Sequence, residues 1–134
     1  MSNYGLEVLD TTECYTLLRT QRVGRVGLAT DPPAVLPVVY VMVDESVVFR
    51  TAPGAKLVEA ALHRVVVFEV DDYDAEDGSG WSVNVVGPAA EIVHPEELAR
   101  VRASDLPAWA GEARDRFVCI TAEEISGRRL VASV

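Results

Sequence analysis

The sequence predicts a mainly β fold, an antiparallel barrel of six or seven strands with two or three short helices on its outside. Three observations favour this fold. Short apolar runs rich in valine alternate with turn residues along most of the chain. Segments with helical spacing are few, and they do not alternate with strands as they would around a parallel sheet. The length of 134 residues, with 49% hydrophobic residues, suffices for one folded domain with its own core.

The N-terminal region is predicted to contain one helix and one strand. Residues 1–9 are expected to be a loosely held tail. The run Asp10-Thr11-Thr12-Glu13 is similar to a capping box, so a short amphipathic helix is predicted from there to about residue 21. A strand is predicted at 23–29, and its two glycines either weaken it or allow another group to approach closely.

The middle of the chain is predicted to form two paired strands and then a corner into a helix. The strand at 34–43 is almost entirely apolar, which predicts that both of its faces are covered. Pro37 within it predicts an edge position or a bulge, because proline cannot donate to a strand ladder. A second strand at 47–51 ends at Pro53-Gly54, a strong breaker. A helix is predicted at 55–62.

The C-terminal half is predicted to contain four more strands and one helix. Gly87-Pro88 interrupts the longest strand, as expected at a barrel corner. Pro95 followed by two glutamates is typical of a helix start. Residues 71–80 are rich in carboxylates but lack the ligand spacing of a calcium loop, so a solvated acidic loop is predicted. The predicted elements are strand 65–70, loop 71–80, strand 81–93, a helix from 95, loop 105–115, strand 116–121 and a final short strand around 128–130.

Composition argues against several functional classes. Twelve basic and twenty-one acidic residues give a net charge of −9, which repels nucleic acids and anionic membranes. No apolar run approaches the ~20 residues of a membrane span, and the N-terminus lacks a secretory pattern, so a cytoplasmic protein is expected. Cys14 and Cys119 are expected to be reduced and buried. Together with His63 and His94 they show no metal-ligand spacing, so no metal site is predicted.

One short stretch carries a candidate binding site. Arg50, Thr51 and Lys56 surround the turn at Pro53-Gly54, between a strand and a helix. Unpaired N–H groups at such a turn, together with nearby cations, suit an anion such as phosphate. The alternative is a strand–loop–helix corner whose charges are solvated. Arg50 and Thr51 are adjacent in a strand, so their side chains are expected to point to opposite faces.

Four short motifs stand in an order that is characteristic of one family. They are VLPVVY at 35–40, VFRTAPGAKL at 48–57, FEVDD at 68–72 and GWSV at 80–83. Together they resemble the pyridoxamine 5'-phosphate oxidase-like family of flavin-binding split barrels, in its small nitroimidazole-resistance-like branch. The similarity runs from about Glu13 to Leu130, which is nearly the whole chain.

The resemblance implies a six-stranded antiparallel split β-barrel that forms a homodimer with FMN at the subunit interface. By position, Arg50, Thr51 and Lys56 would hold the FMN phosphate, and Gly54 would give the turn. The other cofactor-binding positions that the resemblance implies are Val38, Val39, Tyr40, Leu57, Trp81, Ser82 and Val83.

The function implied by the resemblance is a flavin-dependent oxidoreductase that uses FMN on a small-molecule substrate. Trp109 and Arg128 are expected to reach the cofactor from the partner subunit. Two alternatives stay open: the same fold carrying a deazaflavin coenzyme, and a non-enzymatic protein that binds flavin or haem. The chain departs from the family at Val39, where relatives often carry a polar residue. It also lacks the C-terminal arginine and histidine that hold substrate in true pyridoxamine phosphate oxidases, so oxidation of a vitamin B6 phosphate is not expected.

Overall fold

The structure is a computed structural model that describes residues 4–51, 56–104, 106 and 116–132. Those residues form eight strands and three helices. In chain order they are β1 (Tyr4–Val8), α1 (Thr11–Leu18), β2 (Val23–Leu28), β3 (Ala34–Val43), β4 (Ser46–Thr51), α2 (Lys56–Ala61), β5 (Val65–Tyr73), β6 (Gly80–Glu91), α3 (Pro95–Arg102), β7 (Arg116–Thr121) and β8 (Glu124–Ala132).

Six of the strands close into an antiparallel barrel in the order β6-β5-β2-β3-β4-β7, with β7 returning to β6. Strand β8 pairs with β6 outside this ring, and β1 pairs with β8 at the edge. Every pairing between named strands is antiparallel. The predicted mainly β barrel with short flanking helices is therefore confirmed.

The long strand β6 can serve two neighbours because it bends at Gly87-Pro88. Its residues 80–86 pair with β8, whereas 89–91 pair with β7. A Cβ atom on Gly87 would lie 1.7 Å from the carbonyl oxygen of Thr121, so only glycine allows this approach. The break predicted from Gly87-Pro88 is the place where the barrel closes.

Strand β3 also changes partners along its length. Residues 34–39 pair with β2, and 40–43 pair with β4. Pro37 thus lies where β3 has one neighbour, which explains why a proline is tolerated and confirms its predicted edge position. The expectation that both faces of β3 are covered is wrong at this end, because the side chain of Val35 is 66% exposed.

The core fills the barrel and extends beneath α1. Phe68, Phe49 and Leu18 are among its largest fully buried side chains. Helix α1 begins as predicted, with Asp10 accepting a hydrogen bond from the backbone N–H of Glu13 at 2.8 Å. A second apolar cluster lies outside the barrel, where α3 and its flanking residues cover β4 and β7.

The main differences from the predictions are three strand boundaries and the burial of one cysteine. Residues 4–8 belong to strand β1 instead of a loose tail, because β8 supplies a pairing partner. Residues 71–73 extend β5, since they pair with Gly80 to Ser82 of β6 despite their two carboxylates. Strand β8 begins at Glu124, earlier than expected. Cys14 is buried and Cys119 is only partly buried; both are free thiols.

Candidate functional site

The end of β4 separates two of the predicted phosphate ligands. Arg50 lies on the outward face, where its guanidinium carbon is 5.0 Å from the centre of the Phe117 ring. The side chain of Thr51 is 8% exposed and lies on the inward face of β4, as that of Phe49 does. The predicted split of Arg50 and Thr51 between opposite faces is therefore observed. A phosphate on the outer side would meet the Arg50 side chain and not that of Thr51.

Helix α2 presents the second predicted cation. Val58 and Ala61 are buried and anchor the helix, whereas Lys56 and Leu57 are exposed. Lys56 forms no ion pair within the part of the chain that the structure describes. Because α2 has only six residues, side-chain cations rather than its dipole would supply the attraction for an anion. Gly54 and Trp109 lie outside the described residues.

Arg116 is a third cation at this end of the barrel, and sequence reasoning did not single it out. It pairs in register with Thr51, and its guanidinium contacts Glu59 of α2 and lies 2.6 Å from Glu91 of β6. Hydrogen bonds to Glu91 and Glu59 raise the pKa of Arg116. Its partners are 25 and 57 residues away in the chain, so no local pattern announces them. Since its guanidinium already binds two carboxylates, we assign Arg116 a structural role: it links Glu59 of α2 to Glu91 of the barrel strand β6.

The three cofactor-binding positions predicted on β3 lie on two different faces of the strand. Val38 and Tyr40 are 7% and 3% exposed and belong to the barrel core. The Tyr40 hydroxyl donates to the carbonyl oxygen of Leu18 at 2.5 Å, and burial raises its pKa to about 12. Val39 packs against the outer apolar cluster instead. Of these three side chains, only Val39 can therefore offer apolar surface outside the barrel.

Strand β6 divides its predicted residues in the same way. Val83 is fully buried in the core, whereas Ser82 lies on the outward face. Trp81 is partly buried and packs against the core. Ser82 and Trp81 line an open cavity of about 230 Å³ together with Leu6, Asp71, Asp72, Tyr73, Gly80, Arg128 and Leu130. The structure thus brings together Trp81, Ser82 and Arg128 around one cavity.

An ion cluster lies beside this cavity on the outward face of β2 and β5. Arg25 is 3.0 Å from Glu69 and 3.4 Å from Asp71. Burial, a hydrogen bond with Asp71 and the charge of Asp71 together raise the pKa of Glu69 to about 7. One guanidinium therefore serves two carboxyl groups. Arg25 is separated from its two partners by 44 and 46 residues, so no local sequence pattern predicts this cluster.

The corner at β4 and α2 and the cavity at β5, β6, β8 and β1 lie on different sides of the barrel. In the ring of six strands, β4 and β5 are three strands apart in either direction. Their outward faces consequently point away from each other. Among the described residues of one chain, the corner and the cavity therefore do not line a single pocket.

Among the described residues, no group of three or more histidine, cysteine, aspartate or glutamate side chains is arranged to hold a metal ion.

None of the helices in the described ranges is long and apolar enough to cross a membrane.

Comparisons with known proteins place this architecture in a family. A family model described as pyridoxamine 5'-phosphate oxidase matches residues 10–129. An uncharacterized protein of Mycobacterium tuberculosis is 38% identical over 130 residues, which cover 92% of this chain and 85% of that protein. The FAD binding protein from Mycobacterium smegmatis is 36% identical with a TM-score of 0.83, covering 92% of this chain and 98% of that one.

A FAD-binding protein from Mesorhizobium loti is also similar, at 28% identity and a TM-score of 0.76, covering 96% of this chain and 99% of that one. The family match extends over all four motifs on which the resemblance rests. It includes both the β4–α2 corner and most of the cavity. The chain belongs to the pyridoxamine 5'-phosphate oxidase-like family of flavin-binding split barrels.

Proposed function

We propose that this protein binds a flavin nucleotide by its phosphate at the β4–α2 corner and acts as a flavin-dependent oxidoreductase on a small molecule. One observation carries the proposal. In a chain of net charge −9, Arg50 and Lys56 stand at the same corner of the barrel. Charge-assisted hydrogen bonds from such cations are the strong contacts that a phosphate dianion needs.

The residues at the corner fit a flavin on chemical grounds. The phosphate requires cations, and the ring requires apolar surface beside them. Tyr40 of β3 pairs with Phe49 of β4 in antiparallel register. Val39 precedes Tyr40 and Arg50 follows Phe49, so Val39 and Arg50 lie side by side on the outward face of the two strands. Val39 is partly buried against the outer apolar cluster, which also contains Phe117. A cationic group thus adjoins an apolar surface outside the barrel.

The bound flavin would supply the hydride chemistry, and the chain would supply binding, orientation and exclusion of water. FMN is the cofactor expected from the sequence. Two relatives are named as FAD-binding proteins, and FAD contains the same phosphate next to the same ring system. The corner therefore serves either flavin, and the contacts beyond the first phosphate distinguish them.

We further propose that the protein is a homodimer whose interface holds the cofactor. The outward face of the sheet supports this, because Val23, Val35 and Val65 on β2, β3 and β5 are 51%, 66% and 57% exposed. A flavin-loaded monomer on a sizing column with light scattering would contradict the interface, whereas loss of flavin on dilution into monomers would support it.

The decisive experiment is to purify the protein from cells supplied with riboflavin and identify what copurifies. Extraction followed by chromatography and mass determination should show FMN or FAD, and the intact protein should absorb in the flavin bands. A chromophore absorbing at distinctly shorter wavelength would identify the deazaflavin alternative instead. A colourless protein that takes up no added flavin would overturn the proposal.

Turnover needs a separate measurement. The loaded protein is expected to oxidise NADPH faster when a small-molecule electron acceptor is present than when it is absent. Tight flavin binding without acceptor-dependent oxidation, using several donors and acceptors, would assign the non-enzymatic flavin-binding role instead.

A further inference from the structure

The cavity at the outer end of β5, β6 and the β8–β1 pair has walls of mixed character. The side chains of Leu6 and Tyr73 are 63% and 62% exposed. Leu130 of β8 lies between these two residues, because it pairs with Leu6 of β1 on one side and with Gly80 of β6 on the other. Asp72, Ser82 and Arg128 add polar groups to these apolar surfaces. An exposed tyrosine ring beside two leucines forms a surface on which a planar ring can stack.

The size of the cavity limits what it holds. Its volume is about 230 Å³. Pockets for whole drug-sized ligands occupy roughly 300–1,000 Å³, so this cavity suits one part of a larger ligand or a small heterocycle. Its open mouth leaves room for the remainder of such a ligand to continue outside.

The polar groups favour a ring that donates hydrogen bonds. Carboxylates such as Asp71 accept hydrogen bonds, and Asp71 shares the outward face of β5 with Tyr73, whereas the Asp72 carboxylate accepts from the backbone N–H of Tyr73 at 3.0 Å. Adenine presents an exocyclic amino group with two donors. The polar edge of an isoalloxazine ring consists mainly of acceptors, and negative charge beside it opposes reduction to an anion. The carboxylates therefore discriminate in favour of adenine.

Arg128 supplies the complementary charge. It borders the cavity through its register position opposite Ser82 and next to Val8. Within the described part of the chain it forms no ion pair, although Asp71 and Asp72 line the same cavity. An exposed guanidinium at the mouth of a cavity can bind a phosphate group attached to a nucleoside inside it.

We propose that this cavity binds the adenosine half of FAD, with adenine stacked on Tyr73, its amino group donating to Asp71 on the same face of β5, and Arg128 on the adjoining phosphate. The assignment rests on the proposed flavin function and on the proposed homodimer. Because the cavity and the β4–α2 corner of one chain face different sides of the barrel, the flavin half would be held at the corner of a second copy.

The test compares FAD, FMN and AMP as ligands of the apoprotein by calorimetric titration. Tyr73→Ala should weaken FAD binding about tenfold through loss of stacking and leave FMN binding unchanged. Tyr73→Phe should retain FAD affinity, since it keeps the ring. Val93→Ala is the control, because Val93 is 70% exposed between β6 and α3 and belongs neither to the cavity nor to the proposed dimer face.

AMP probes the cavity without the flavin half. Wild-type protein should bind AMP, Tyr73→Ala should lose that binding, and Arg128→Gln should weaken AMP more than adenosine. Equal losses of FAD and FMN in Tyr73→Ala would place the flavin ring in the cavity and overturn the assignment, as would no loss of either. If wild-type protein bound neither FMN nor FAD, the proposed function would be wrong. AMP binding that is lost in Tyr73→Ala would then still show that the cavity binds adenosine, and no AMP binding would show that it does not.

Discussion

The inward and outward residues of the same strands meet opposite surroundings, although they are neighbours in sequence. Val38, Tyr40 and Val83 are buried in the barrel core, whereas Val39 and Ser82 lie outside it. A family motif read along the chain includes both kinds of residue without distinction. Strand alternation therefore determines which side chains of a binding motif can touch a ligand and which only support the wall behind it.

This comparison predicts that substitutions at adjacent positions have different consequences. Inward changes should lower the free energy of unfolding and leave ligand affinity almost unchanged. Outward changes should do the reverse, because exposed side chains contribute little to stability.

The largest expected effect concerns the neighbours Val83 and Ser82. Val83→Ala should lower the free energy of unfolding by roughly 2–3 kcal/mol, because it leaves a cavity at a position that is 0% exposed. Ser82→Ala should change it by less than about 0.5 kcal/mol. Urea unfolding followed by tryptophan fluorescence measures both. Equal destabilisation by the two variants would show that β6 does not alternate between core and exterior.

A slightly smaller effect is expected from Arg116. Arg116→Ala should lower the free energy of unfolding by about 2 kcal/mol, because it leaves Glu59 and Glu91 facing each other without their shared cation. Arg102→Ala on the exposed side of α3 is the control and should be nearly neutral. A neutral Arg116→Ala would mean that α2 is held by its apolar contacts alone.

Tyr40→Phe should cost about 1 kcal/mol of unfolding free energy, since it removes the hydrogen bond to the Leu18 carbonyl while keeping the buried ring. Thermal unfolding of the two proteins under identical conditions measures the difference. An unchanged midpoint would indicate that water replaces the hydroxyl at the end of α1.

The smallest effect is a pH dependence from Glu69. Its pKa is about 7 in the folded protein and 4.5 without that environment, so the folded state holds a proton that the unfolded state has lost between these values. The free energy of unfolding should therefore fall as pH rises through that window. Glu69→Gln should make the decline shallower, whereas Glu96→Gln on α3 should not. If the wild type and Glu69→Gln showed the same change of unfolding free energy between pH 5 and 7, the raised pKa of Glu69 would be contradicted.

Much of the fold could be predicted because valine-rich runs, turn residues and one capping box are local signals. The helix start at Asp10 and the bend at Gly87-Pro88 are examples. Strand β1 was not predicted, because its backbone hydrogen bonds are made to β8, near the other end of the chain, and no local pattern indicates this pairing. Residues 71–73 looked like a loop because two carboxylates follow one another, yet pairing with β6 extends the strand through them.

The candidate site was predictable only in part for the same physical reason. Arg50 and Lys56 were found because they flank a local turn motif. Arg116 and Tyr73 acquire their surroundings from strands and helices distant in sequence, so single-sequence reasoning could not place them. Their roles depend on the closure of the barrel and on the β8–β1 pair outside it.

The most direct test of the central claim is a flavin titration of three proteins: wild type, Lys56→Ala and Tyr40→Phe. Lys56 is an outward cation at the corner, and Tyr40 is an inward residue of the same family motifs. Lys56→Ala should weaken binding by roughly 1.5–3 kcal/mol, the cost of a lost charge-assisted phosphate contact, and Tyr40→Phe should bind like the wild type. Unchanged affinity in Lys56→Ala, with flavin still bound, would contradict the account.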